Sequence, residues 1–230
     1  MKSAIITQSN YIPWKGYFDA INSVDVFVVF DDVQYTKRDW RNRNLIKTPT
    51  GLKWLSIPVE VKGKFRQKIN QTRIIDRDWQ KSHLGAIRQN YQKAKCFEEV
   101  FPWIQELYLS CEHKFLTEIN LHFIRRINSF LGISTSIRSS AEFNLDAHKT
   151  QRLVNICKEL NVTNYFTGPA AKNYIDEAIF CSNEIDIHYW SYDGYPEYVQ
   201  LYGSFENGAT IFDLILNEGK NANKFLKSFK

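Results

Sequence analysis

The chain has 230 residues, 43% hydrophobic and 24% charged, a size and balance that one buried core can serve and that exclude a disordered chain. Its net charge of +5 is unevenly laid out: residues 41–95 hold 14 Lys or Arg against three acids (Glu60, Asp76, Asp78), a net of +11. No apolar run approaches the roughly 18 residues of a membrane-spanning helix, and the four scattered cysteines exclude a CxxC metal or redox pair.

In chain order, Ser3 to Thr7 reads as a short β-branched strand. The run stops at once in Thr7-Gln8-Ser9-Asn10, unlike a signal peptide, so a cytoplasmic chain is expected. Tyr17 to Asn22 fits one or two helical turns, and Val26 to Phe30 is a second apolar strand. Apolar strands separated by a helix predict a parallel sheet covered on both faces. Asp31 to Gly51 reads as a long polar stretch, a length that compact domains reserve for function. Lys53 to Val61 and Ile69 to Ile75 are expected as paired strands, Pro58 marking an edge.

Helical territory follows. Asp78 can cap a helix from Trp79 to about Ala94, Pro102 is placed to open a second through Cys111, and Leu116 to Leu131 is a third, stopped by Gly132. The last third returns to alternation: strands at Ser136–Arg138, Asn164–Thr167 and Ile185–Tyr189, with helices at Lys149–Leu160, Ala171–Phe180 and Thr210–Leu216. The whole predicts one doubly wound, Rossmann-like α/β domain over 1–230, a mostly parallel sheet flanked by helices, with a helical insertion at about 76–131. Cys96, Cys111, Cys157 and Cys181 are expected as buried small apolar residues.

Open parallel sheets bind ligands beyond the carboxyl ends of their strands, and three such ends carry unusual residues. After the first strand, Gln8, Ser9 and Asn10 precede a helix whose amides suit a phosphate or carboxylate, and Tyr11 and Trp14 offer flat surfaces for a base or sugar. After the second, Asp31-Asp32-Val33-Gln34 leads into Lys37, Arg38, Arg41, Asn42 and Arg43. Paired acids can orient an ammonium or act as a base, and arginines fork onto phosphate oxygens. After a later strand, Thr167-Gly168 runs through a small-residue turn to Lys172, where backbone amides can bind an anion. Each has a plainer reading: a capped turn, a solvated loop, a basic face without a ligand. The five histidines (His83, His113, His122, His148, His188) form no ligand spacing, so no metal is expected, and neither a nucleophile elbow nor a P-loop is present. The basic block suits nucleotides, nucleotide-sugars, RNA or membrane headgroups.

These stretches together resemble the WbqC-like family. The carrying motifs are QxNYxPWxGYF (Gln8 to Phe18), DVFVxxDDVQYTKRDWxNRNxIKTPxG (Asp25 to Gly51), WLxxPV (Trp54 to Val59) and HLxxIxQNYxKA (His83 to Ala94). Further matches are KTxRLxxICKxL (Lys149 to Leu160), YxxGPxxxxYxDE (Tyr165 to Glu177) and the ending YPxxxQLYGxFxxxxxIxDLxxNxG (Tyr195 to Gly219). The resemblance implies a place in bacterial O-antigen or related surface-polysaccharide biosynthesis, and for some members attachment of glycine or another acyl group to an amino sugar.

On that resemblance, the expected activity is N-acyl transfer to a nucleotide-linked amino sugar. Asp31 or Asp32 would serve as base or ammonium-orienting acid, with His83 as the alternative. Gln8 and Asn10 would donate to the sugar or oxyanion, and Lys37, Arg38, Arg41 and Arg43 would hold the diphosphate. The donor stays open among an acyl adenylate, acyl-coenzyme A, an acyl carrier protein and an aminoacyl-tRNA. The family's first motif usually opens His-Gln-Pro where this chain has Thr7-Gln8-Ser9, which moves the expected base to Asp31 and Asp32. Two other readings compete: an adenylate-forming or nucleotidyl-transferring enzyme, and a non-catalytic scaffold of a polysaccharide assembly complex.

Overall fold

A computed structural model describes residues 1–147 and 149–229, so His148 lies outside the described residues. Five parallel strands form the central sheet: β1 (Ser3–Thr7), β2 (Val26–Val29), β5 (Ser136–Ser139), β6 (Asn164–Thr167) and β7 (Asp186–Tyr189). Their spatial order is β5-β2-β1-β6-β7. Counted along the chain, the sheet strands therefore run third, second, first, fourth, fifth, the order of the dinucleotide-binding Rossmann half with its continuation.

Strand parity sends alternate residues to opposite faces. Ile5, Phe27 and Val29 join one buried cluster with Phe18 and Ile21 of α1 (Lys15–Asn22). That cluster also takes in α2 (Asp78–Tyr91), α3 (Phe97–Leu109), α4 (Leu116–Leu131) and α7 (Ile211–Glu218). Ala4, Ile6, Val26 and Val28 join a second cluster with α5 (Thr150–Glu159) and α6 (Glu177–Cys181). Helices thus cover both faces, as continuous apolar strands require. No helix among the described residues is long and apolar enough to cross a membrane.

Five local expectations are corrected. The polar stretch after Asp31 contains a strand, β3 (Arg43–Thr48), which pairs antiparallel with β4 (Gly51–Ser56). Its buried Asn44 and Lys47 mask the strand in sequence, because each meets a hydrogen-bond partner that only the tertiary fold supplies, while buried Thr48 bonds the Gly51 carbonyl across the hairpin turn. The expected pairing of Val59 with Ile74 shrinks to an isolated bridge. Pro102 sits inside α3 instead of opening it; buried Phe97, Val100 and Phe101 carry the helix one turn further back. The expected helix at 171–180 breaks into a 3₁₀ turn (Pro169–Asn173) and α6, which Asp176 caps by accepting from the Ala178 amide. All four cysteines are free, and Cys181 is exposed where burial was expected.

Candidate functional site

The strand order reverses between β1 and β6, and a cavity of about 470 Å³ opens there. Thr7 ends β1 at its edge and Thr167 ends β6, so the cavity stands at the carboxyl ends of the two strands. Three loops wall it: Asn10 to Trp14 with Tyr17 behind them, Trp40 to Asn44, and Gly168, completed by Trp190, Tyr192, Asn207 and Gly208 from the segment between β7 and α7.

The first loop is held from several sides. Ile12 has φ 36°, a conformation a β-branched residue adopts only where the surroundings enforce it. The side-chain amide of Asn44 donates to the carbonyls of Tyr11 and Ile12, both at 3.0 Å, and the Thr210 hydroxyl donates to Ile12 at 2.6 Å. The Ile211 amide reaches the Pro13 carbonyl at 2.9 Å. Trp14 folds back over the start of α1: a Cβ on Gly16 would lie 2.3 Å from its indole, so glycine is required there for this wall. The indole meets Tyr192 and Tyr195 with ring centres 5.5 and 5.3 Å apart.

Asp31 organises this loop from behind. It is 2% exposed and accepts from the Ser9 amide (2.8 Å), the Ser9 hydroxyl (2.6 Å) and the Thr117 hydroxyl of α4 (2.7 Å). Asn120 then donates to both Ser9 Oγ and the Arg41 carbonyl, at 2.9 Å each. Burial raises the Asp31 pKa, against the pull of the Ser9 and Thr117 hydrogen bonds and the Arg41 charge. Ser9 stands where the resembled motif usually has proline, which could offer Asp31 neither an amide nor a hydroxyl. Thr7 stands where that motif usually has histidine, and it lines the cavity.

The other expected site residues divide. Asn10, Trp14, Arg41, Thr167 and Gly168 line the cavity. The Arg41 guanidinium bonds Asn10 Oδ1 and the Ser9 carbonyl, and its Nε lies 3.7 Å from Asp39. Gln8 contributes its carbonyl, which accepts from the Tyr17 hydroxyl at 3.0 Å. Asp32 faces away, toward β5, accepting from Ser140, Asn70 and Lys68. Asn42 is spent on Tyr35 and the Ile57 carbonyl, and Gln34 on the Phe65 carbonyl. Lys37 and Arg38 are exposed, while Arg43 lies over Trp54 and Lys172 over Tyr189.

Tyr11 is fully buried and belongs to a relay. Its hydroxyl meets Tyr108 at 2.6 Å and His83 Nδ1 at 2.9 Å, and His83 Nε2 meets the Ser56 carbonyl at 3.2 Å. A carbonyl only accepts, so Nε2 carries the proton and Nδ1 accepts from Tyr11. His83 therefore lies apart from the cavity, on a shallower cleft between β4 and α2. Burial lowers its pKa to about 4 from 6.5, with the Ser56 hydrogen bond opposing. Because the folded value lies below the unfolded one, the unfolded chain takes up the proton first as pH falls from 6.5 toward 4. Stability is lost over that window, by about 3 kcal/mol for this group. In thermal melts, His83→Gln is expected to decline less steeply than the wild type between those pH values; parallel declines would show that His83 is not the neutral, buried group described.

Sequence reasoning missed Tyr17, Asn44, Trp190, Tyr192, Asn207 and Gly208. One signal was legible: between the predicted strand at Ile185–Tyr189 and the predicted helix at Thr210–Leu216 the sequence offers no element, and structureless loops of that length in compact domains are commonly functional. Among the described residues no group of three or more His, Cys, Asp or Glu is placed to hold a metal, and no carboxylate or imidazole lines the main cavity.

The model of the WbqC-like protein family matches residues 8–225. The uncharacterized protein Rv1507c of Mycobacterium tuberculosis (strain ATCC 25618 / H37Rv) is 47% identical over 227 residues, covering 99% of this chain and 98% of that one. No solved structure matches the chain.

Proposed function

The chain belongs to the WbqC-like protein family, and from that premise we propose that it is an N-acyltransferase acting on a nucleotide-linked amino sugar in bacterial surface-polysaccharide biosynthesis. One observation carries the reading: the walled cavity at the strand-order reversal, with Arg41 and the start of α1 on one side and aromatic walls on the others. Nucleotides bind at this position of doubly wound sheets, diphosphate toward a helix start. In this reading Arg41 meets the diphosphate, Trp14 and Tyr192 flank the base or sugar, and Asn10 and Thr167 donate to the sugar and the developing oxyanion. Asp31 acts as a positioning residue that fixes the first loop and, through Asn120, the backbone of Arg41. With no carboxylate or imidazole on the cavity wall among the described residues, the amine's proton passes to the donor's leaving group: the N–C bond forms, the bond from acyl carbon to leaving group breaks, and the leaving atom ends protonated.

Incubating the protein with a UDP-linked amino sugar and each donor class, then measuring the sugar product by mass spectrometry, tests this. An acyl mass increment on the sugar nitrogen is expected with one donor class. A sugar nucleotide that binds but is never acylated would remove acyl transfer, and one that does not bind would remove the cavity assignment. The strand order and the β1-to-α1 loop equally suit an adenylate-forming enzyme, which pyrophosphate release from ATP in the same assay would reveal.

A further inference from the structure

The main cavity opens onto a shelf that the acceptor sugar leaves unused. Trp40 lines the cavity mouth. Its ring centre lies 5.2 Å from that of Trp54, tilted by 46°, and the two side chains are 42% and 40% exposed. The Arg43 guanidinium sits 3.9 Å from the Trp54 ring and donates to the Arg38 carbonyl. Beyond Trp54 the surface continues into the second cleft, of about 510 Å³, lined by Lys53, Ser82 and Gln89 among others. A continuous path therefore leads from the cavity across two flat rings into a polar trough. Of the 14 cations in residues 41–95, eleven are exposed, Lys53, Lys81 and Arg88 among them.

We infer that this shelf binds the single-stranded 3′ end of an RNA, whose terminal ribose carries the acyl group as an ester. The inference rests on the cavity being the acceptor-sugar site. Every nucleobase has a face that stacks on exposed aromatic rings, and a basic surface follows the phosphates of the strand. An acidic protein surface would be met by the cations alone and gives two neighbouring tryptophans nothing to do. Chemically, the ester closes the proton balance: the sugar amine forms the N–C bond, the ester C–O bond breaks, and the ribose oxygen leaves with the proton the amine loses.

Fluorescence anisotropy of a labelled short oligoribonucleotide with a free 3′ end tests the binding, with calorimetry of the UDP-amino sugar on the same samples. The oligonucleotide is expected to bind with affinity that falls with salt, by a log–log slope of about −0.7 per contacted phosphate. Trp54→Ala is expected to weaken it about tenfold, with partial recovery in Trp54→Phe. Trp54 is outside the cavity wall, so sugar binding should be unchanged, which also shows that the variant is folded. Oligonucleotide affinity indifferent to Trp54→Ala overturns the inference. So does equal binding of base-free polyphosphate, which would mark the surface as one for an acidic partner. Wild-type protein that binds the oligonucleotide through Trp54 but takes up no UDP-amino sugar would overturn the cavity reading, and with it delivery of the ester to that cavity, while RNA binding by the shelf would hold.

Discussion

Asp31→Ala is expected to cost about 3–5 kcal/mol of folding stability, the largest single effect of any substitution at the site. The variant leaves the Ser9 amide and the Ser9 and Thr117 hydroxyls facing an apolar methyl inside a wall that water does not reach. Asp31→Asn should be far milder, about 1–2 kcal/mol. Its carbonyl oxygen can still accept from the Ser9 amide, and the two hydroxyls can turn to accept from its NH₂. The upward shift of the Asp31 pKa by burial points the same way, since a neutral isostere carries no charge to desolvate. Chemical denaturation of the two variants measures this contrast. It also separates two roles: Asp31→Asn that folds and turns over supports a positioning residue, whereas Asp31→Asn that folds and is dead makes Asp31 the base.

Arg41→Met is expected to weaken nucleotide-sugar binding by about 10- to 100-fold, the value of a charge-assisted hydrogen bond to a phosphate. Its guanidinium already has an orientation, set by Asn10 and the Ser9 carbonyl, so little side-chain freedom remains to be lost on binding. Arg41→Lys keeps the charge but not the planar fork, and should fall between the two. Calorimetry with UDP and with the UDP-linked amino sugar, at two salt concentrations, reads both the affinity and the loss of salt dependence. Equal affinities in wild type and Arg41→Met would place the diphosphate elsewhere.

Elements whose signals are local were legible along the chain. The first strand, the helix at Leu116–Leu131 and the strand at Asn164–Thr167 stand where apolar periodicity and the stop at Gly132 put them, because 3.6- and 2-residue periods are imposed by neighbours in the chain. The three strand-end loops were legible too, since polar residues directly after apolar strands need no long-range information to be noticed. The rest depended on long-range contacts. The strand β3 was hidden because Asn44 and Lys47 are polar residues buried against Tyr11, Ile12, Gln200 and Ser204, partners up to 157 positions away.

The same reason governs the site. Asp31 and Asp32 are adjacent in the loop just past β2, yet their side chains turn opposite ways: Asp31 toward Ser9 and Thr117, Asp32 toward Ser140 beside β5. Composition could say that these loops were unusual. Which side chain faces the cavity, which is spent in the wall, and that the segment at 190–208 supplies Trp190, Tyr192, Asn207 and Gly208, follow only once the sheet order brings β1, β6 and the chain beyond β7 to one edge.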